Sequence, residues 1–156
     1  MIIHTDNIDW VRPLFDQYMW HMKQYYEIDD VPAWIGRANE YYDLYRTDTD
    51  RIVYVAVMDD ELSGFALINS VCFFNETGRS IAEFYIVPEK HNNGYGRELA
   101  EFAFEQHPGQ WEIRVTSRNK GAFIFWSKIL VQYMGENFSV QSNELYDGRA
   151  FIFNNA

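Results

Sequence analysis

Glu83 and Glu112 both stand inside strand-like apolar runs, AEFYIV and WEIRVT. A carboxylate buried without a partner is costly, so each needs a reason to be there. One reason is proton chemistry, because a carboxylate in such a place can act as a general base. The other is structural: alternate strand positions can face solvent, and Arg114 lies close enough in sequence to pair with Glu112. Between the two glutamates lies EKHNNGYGREL, which carries Gly94 and Gly96 after a run closed by Pro88 and before a helical pattern. Amides at a helix N-terminus are unpaired, and the helix dipole favours an anion there. Glycines let the backbone turn tightly and let an anion approach it. The spacing reads as a phosphate seat beside a candidate base. A plain turn with a helix start is the alternative, and the third glycine of the dinucleotide fingerprint is missing.

Other reactive side chains carry less. Cys72 sits in an apolar run with no histidine nearby in sequence, and core packing accounts for it better than nucleophilic chemistry. His4, His21, His91 and His107 show no ligand spacing, so no metal is expected. Aromatic residues make up 18% of the chain. Trp10, Phe15, Tyr18, Met19, Met22, Tyr25 and Tyr26 fall at helical spacing, as do Trp34, Tyr41, Tyr42 and Tyr45. Most are expected in the core, and a few could line a pocket that holds a cation.

These groups must be held by a chain of 156 residues, 47% hydrophobic, which is enough for one domain over 1–156 with a sizeable core. A net charge of −10 is the wrong sign for nucleic acid or an anionic membrane, and it favours cationic partners such as amines if it does more than maintain solubility. No apolar run approaches a membrane span and no signal peptide is recognisable. With a single cysteine, a cytoplasmic setting is expected.

The pattern predicts a short strand at Met1–His4, helices over Ile8–Glu27 and Ala33–Tyr45, and strands at Arg51–Met58, Leu62–Phe73 and Ser80–Val87. After the glycine loop come a helix over Arg97–Gln106, a strand at Trp111–Thr116, a helix over Asn119–Leu130, and a hairpin of Phe138–Gln141 with Arg149–Phe153. This is a mixed α/β order with an antiparallel meander at its centre, unlike a doubly wound nucleotide fold.

The stretch AEFYIVPEKHNNGYGRELAEFAF followed by WEIRVTSRNKGAFIFWSKIL resembles the GNAT superfamily of acyl-CoA-dependent N-acetyltransferases. The family's Arg/Gln-x-x-Gly-x-Gly/Ala frame is matched by His91-Asn92-Asn93-Gly94-Tyr95-Gly96. Its later Asn, Ala and aromatic pair are matched by Asn119, Ala122, Phe125 and Trp126. The Phe-Trp pair is similar to a bacterial subgroup of acetyltransferases. The resemblance implies a central, mostly antiparallel sheet with splayed strands and flanking helices. It implies that the backbone of Phe84, Tyr85 and Ile86 pairs with the pantetheine arm of acetyl-CoA, used as acyl donor. The pyrophosphate would rest on amides of Asn92, Asn93, Gly94, Tyr95, Gly96 and Arg97. Asn119 would contact the cofactor arm, an N-cap role being its competitor.

The implied activity is transfer of an acetyl group to a primary amine, on a small molecule or a protein, by direct attack, with Glu83 or Glu112 as base. A catalytically weak or inactive acyl-CoA-binding module is the alternative, and a homodimer stays open. His91 departs from the family's Arg or Gln, with Lys90 and Arg97 available to compensate. Trp126 stands where many members carry a tyrosine acid, and an indole cannot give up its proton at useful pH. It could wall the thioester pocket instead. Tyr133 or Tyr146 could donate in its place, or the thiolate could leave unaided. Glu27, Asp29 and Asp30, near Tyr25 and Tyr26, are acceptor-site candidates.

Overall fold

The computed structural model describes residues 1–156. Seven strands form one sheet: β1 (Ile2–His4), β2 (Ile52–Met58), β3 (Glu61–Asn69), β4 (Arg79–Ile86), β5 (Gln110–Thr116), β6 (Phe138–Gln141) and β7 (Gly148–Asn154), in spatial order β1-β2-β3-β4-β5-β7-β6. Helices α1 (Ile8–Met22) and α2 (Val31–Asp43) precede β2, α3 (Tyr95–Gln106) joins β4 to β5, and α4 (Lys120–Met134) follows β5. Every strand pair is antiparallel except β4 with β5. The expected mixed α/β architecture is the observed one. No helix is long and apolar enough to cross a membrane.

Local chemistry sets the element ends. Asn7, Asp30 and Asn119 each accept a hydrogen bond from an amide in the first turn of α1, α2 and α4, so the three helices start where a polar cap is available. The first two helices stop short of their expected ends and tighten into 3₁₀ turns at Lys23–Tyr25 and Leu44–Arg46. The predicted third strand overran: β3 stops at Asn69, and the apolar residues Val71–Phe74 leave the sheet for a loop. Helix α4 runs four residues past Leu130 to Met134, where Gly135 at φ 64 ends it.

The sheet separates two apolar layers. One packs β-strand side chains against α3 and α4 and centres on Phe104, Trp111, Leu130 and Phe151. The other packs the opposite face against α1 and α2 through Val11, Phe15, Tyr42 and Phe65. Phe15, Tyr18, Met19, Tyr42 and Tyr45 are core as expected, whereas Trp10 and Tyr41 are exposed.

Two irregularities break the sheet where β4 meets β5. Their parallel pairing covers only Arg79 with Trp111 and Ser80 with Glu112, after which the strands separate. In the same stretch, Leu67 of β3 faces Glu83 while Ile68 faces Ile81, leaving Ala82 as an unpaired bulge residue. A bulge re-aims the side chains beyond it. Ile81 therefore points into the α3/α4 layer, while Glu83 is turned toward α1, where Tyr18 bonds it.

Phe151 is fully buried in the larger layer. Replacing it with alanine is expected to lower stability by about 3–5 kcal/mol. Urea unfolding checks this as a lower midpoint at unchanged slope.

Candidate active site in the fork between two strands

The gap left by the separating strands is a cavity of about 320 Å³. Its walls come from both sides of the sheet. Phe84, Ala122 and Trp126 line it from the α3/α4 side, and Tyr18, Met22 and Tyr26 from the α1 side. Phe73 and Tyr146 come from the loops before β4 and before β7. The cavity thus passes through the sheet. It adjoins a groove of about 470 Å³ between α4 and the loop before β7, the two sharing Val115, Thr116, Asn119 and Tyr146.

Glu83 lies in this cavity, partly buried, and accepts a short hydrogen bond from the Tyr18 hydroxyl. Burial pushes its carboxyl up to about 7, with the Tyr18 bond and the charge of Arg114 acting in the opposite direction. Burial and the Glu83 charge hold the Tyr18 phenol well above its ordinary value, so it stays a proton donor to the carboxylate. A carboxylate poised near neutrality in a cavity is what a general base requires.

Glu112 is different, and its candidacy as a base is corrected by its surroundings. It is fully buried, and both oxygens are engaged. One accepts the amides of Phe74 and Asn75 at 3.1 Å each; the other accepts the amide of Phe73 at 2.9 Å and the Arg114 guanidinium. Burial alone would raise its proton affinity, but these donors outweigh burial and its pKa falls below the ordinary value. No lone pair is left to take a proton from an amine. Glu112 instead anchors the loop that carries Phe73.

The cofactor-loop residues divide into groups with separate tasks. Val87 N–H donates to Ser63 C=O at 2.9 Å, and in this register the backbones of Val87, Tyr85 and Glu83 turn toward β3. The backbones of Phe84 and Ile86 therefore face the gap, and Tyr85 is corrected: its backbone is used by β3 and its side chain packs in the α1 layer. Gly94 has φ 81, a turn conformation that favours glycine, and a Cβ there would meet nothing. Gly96 serves packing, since a Cβ would lie 2.8 Å from the Phe125 ring. In α3 the first amide with a helical acceptor is that of Glu98, bonded to Gly94 C=O at 3.0 Å. The amides of Tyr95, Gly96 and Arg97 thus point from the helix start without an intrahelical partner.

The cations near this helix start are already engaged. Lys90 pairs with Asp59 at 2.9 Å and Arg97 with Glu101 at 2.6 Å. His91 bonds the Ile86 carbonyl at 2.7 Å. Asn92 has φ 64, and Asn93 uses its side-chain amide to close the loop onto the His91 carbonyl at 3.1 Å. Asn119 caps α4 through its side-chain oxygen, bonded to Ala122 N–H at 3.0 Å, while its side-chain NH2 makes no bond within the protein. Its two expected roles are compatible, because each uses a different atom.

Other expectations fall away from the cavity. Tyr133 bonds Asn155 and packs on Phe104, outside the gap, so it is no proton donor there. Cys72 does not line the cavity, and burial and the Glu112 charge push its thiol up to about 11. Glu27 pairs with Arg118 at 3.6 Å and Asp30 caps α2; with Asp29 they lie outside the cavity lining. Tyr18, expected in the core, and Phe73 and Arg114, for which the sequence carries no site signal, join the lining. A phenol on an otherwise apolar helix face was the available signal, because a buried tyrosine hydroxyl needs a partner.

The two glutamates predict opposite pH effects. Glu112, with a depressed pKa, contributes stability that is present above about 4.5 and lost as pH falls below it. Glu83, with a raised pKa, favours the fold when protonated, and that contribution is lost as pH rises from 4.5 to about 7. Glu112→Gln is expected to cost roughly 3–5 kcal/mol at neutral pH by leaving Arg114 and the amides short of an acceptor charge. Glu83→Gln is expected to flatten the decline between pH 4.5 and 7. Urea unfolding across pH 4–8 of both variants checks the pair of signs.

Comparison with known proteins agrees with this arrangement. The model of the acetyltransferase (GNAT) family matches residues 12–130. No curated protein matches the chain by sequence. Among solved structures, smu.2055 of Streptococcus mutans UA159 superposes with a TM-score of 0.72 at 13% identity, covering 100% of this chain and 99% of that one. A GNAT-family acetyltransferase of Streptococcus agalactiae 2603 gives 0.69 at 12% identity over 100% and 95% of the two chains. The PaiA N-acetyltransferase of Thermoplasma acidophilum, solved in complex with coenzyme A, gives 0.67 at 15% identity over 99% of each. These likenesses establish the fold, and the family match extends over most of the chain, including the glycine loop, the fork and the start of α4: the protein belongs to the GNAT family of acetyltransferases.

Proposed function

We propose that this protein transfers an acetyl group from acetyl-CoA to a primary amine by direct attack in a ternary complex. The carrying observation is the cavity that passes through the sheet with Glu83 in it. Two reactants can enter such a gap from opposite faces and meet there, and positioning of this kind supplies much of the rate. No cysteine lines the cavity, which speaks against a thiol-borne covalent intermediate.

The chain's own groups divide the work. The gap-facing backbone of Phe84 and the N–H of Ile86, whose carbonyl is already bonded by His91, offer a strand edge for an extended, amide-containing arm. The unpaired amides of Tyr95, Gly96 and Arg97, and the loop of Asn92, Asn93 and Gly94, form the anion seat. Since Lys90 and Arg97 are held by carboxylates, that seat works through backbone dipoles more than side-chain charge. Asn119 supplies its free NH2 beside the arm. Trp126 walls the gap. Phe84 N–H is aimed into the gap next to Glu83, where it can polarise a thioester carbonyl.

Glu83 takes the proton that the amine gives up as its nitrogen bonds the acetyl carbon. The C–S bond then breaks and the electron pair leaves on sulfur. Trp126 cannot supply the thiolate with a proton, and thiolate is a tolerable leaving group near neutral pH. The second reading, an acyl-CoA-binding module without turnover, is motivated by the tryptophan at that place, although the Tyr146 phenol lines the cavity as another donor. The raised proton affinity of Glu83 favours the enzyme.

Acetyl-CoA is expected to bind saturably, followed by tryptophan fluorescence and calorimetry, and Gly94→Trp is expected to lose that binding because φ 81 strains any side chain. Glu83→Gln is expected to lower kcat/KM for amine acetylation by about 10²-fold or more with acetyl-CoA affinity retained. The wild-type pH profile should rise through about 7, and the variant's should not. Binding without turnover of any amine would establish the module; equal turnover in the variant would remove Glu83 as base.

A further inference from the structure

Resting on the acetyltransferase reading, we propose that the acceptor is a small monoamine on a flat apolar body, held by Tyr18, Tyr26, Phe73 and Tyr146 around Glu83. These four rings line the α1 and loop side of the gap. They are braced from behind. Phe73 and Tyr146 meet edge to face at 6.2 Å, Tyr26 leans on Trp34 at 6.0 Å, and Tyr18 meets Phe65 edge to face at 5.4 Å. Aromatic faces attract an ammonium, more strongly where water is excluded.

Charge sets the number of amines. Glu83 is the one carboxylate among the lining residues, and Arg114 is the one cation. Arg114 is neutralised by Glu112, donates to the Val71 carbonyl at 2.9 Å, and has its face covered by the Phe73 ring at 4.2 Å. Glu83, when ionised, is therefore the single lining carboxylate left without a directly paired cation, and it matches a single ammonium. A polyamine would bring a second cation with no second carboxylate in the cavity lining to meet it.

Size sets the body. A volume of about 320 Å³ equals roughly ten water volumes at ~30 Å³ each, so the acceptor that shares it with the acyl end is small. A flat ring carried close to its amine can stack on the walls. An exposed lysine, with a flexible chain and no ring, would leave those faces unused.

The test uses 2-phenylethylamine, spermidine and Nα-acetyl-lysine methylamide as probes. Each is titrated by calorimetry into protein saturated with CoA, and each is assayed for thiol release from acetyl-CoA. The expected result is a kcat/KM for 2-phenylethylamine at least about tenfold above either other amine. Tyr26→Ala and Phe73→Ala are expected to raise its KM about tenfold, with acetyl-CoA affinity unchanged as the sign of an intact fold, and Tyr26→Phe to restore it. Preference for spermidine or the lysine derivative overturns the proposal, as does an unchanged KM in both alanine variants. Acetyl-CoA binding with no amine binding to the CoA-loaded protein overturns the aromatic site and leaves the cofactor reading standing. Failure of acetyl-CoA itself to bind overturns both.

Discussion

The site depends on a buried carboxylate whose two oxygens are both fully engaged by the protein. Glu112 sits at the last paired position between β4 and β5, opposite Ser80. Its four donors come from three consecutive loop amides and Arg114. A charge buried this deeply is tolerable only when it is fully bonded. Satisfying it draws the loop after β3 against β5 at the root of the fork. That contact brings Phe73 over Arg114 and against Tyr146, and so raises one wall of the cavity. Without it, the strands would still diverge, but the gap between them would open to water on that side.

Glu83 occupies the opposite condition with the same side-chain type. It has one hydrogen bond from Tyr18 where Glu112 has four, and its side chain faces the cavity while its backbone stays paired with Leu67 beside the bulge at Ala82. Two glutamates on neighbouring strands thus diverge in proton affinity because one environment supplies donors and the other mainly removes water. The same contrast separates anchor from candidate base.

Sequence reasoning reached the order of elements, the mixed sheet and the glycine loop, because these rest on local signals: apolar period, caps and turn residues. It could not separate Glu83 from Glu112, since both are glutamates in apolar runs and the difference lies in which distant loop reaches them. Tyr85 was grouped with Phe84 and Ile86 because the direction of a backbone amide in a strand depends on register with a partner. The overrun of β3 has the same origin: Val71–Phe74 are apolar enough for a strand, yet Glu112 draws the amides of Phe73 and Phe74 elsewhere and Asn69 takes that of Val71. Gly96 read as an anion's glycine, and only the approach of Phe125 from α4 shows its packing role.

That approach ties two distant positions together. The ring of Phe125 fills the space that a side chain at position 96 would need, and it touches Phe84 at 5.6 Å and Trp126 at 4.9 Å. Positions 96 and 125 share one fixed volume. A descendant chain that enlarges the first must shrink the second, and in doing so it releases the aromatic pair that borders the gap. Substitutions at the two sites are therefore expected to arise together or not at all, so that drift in the α3–α4 contact is also drift in the shape of the pocket.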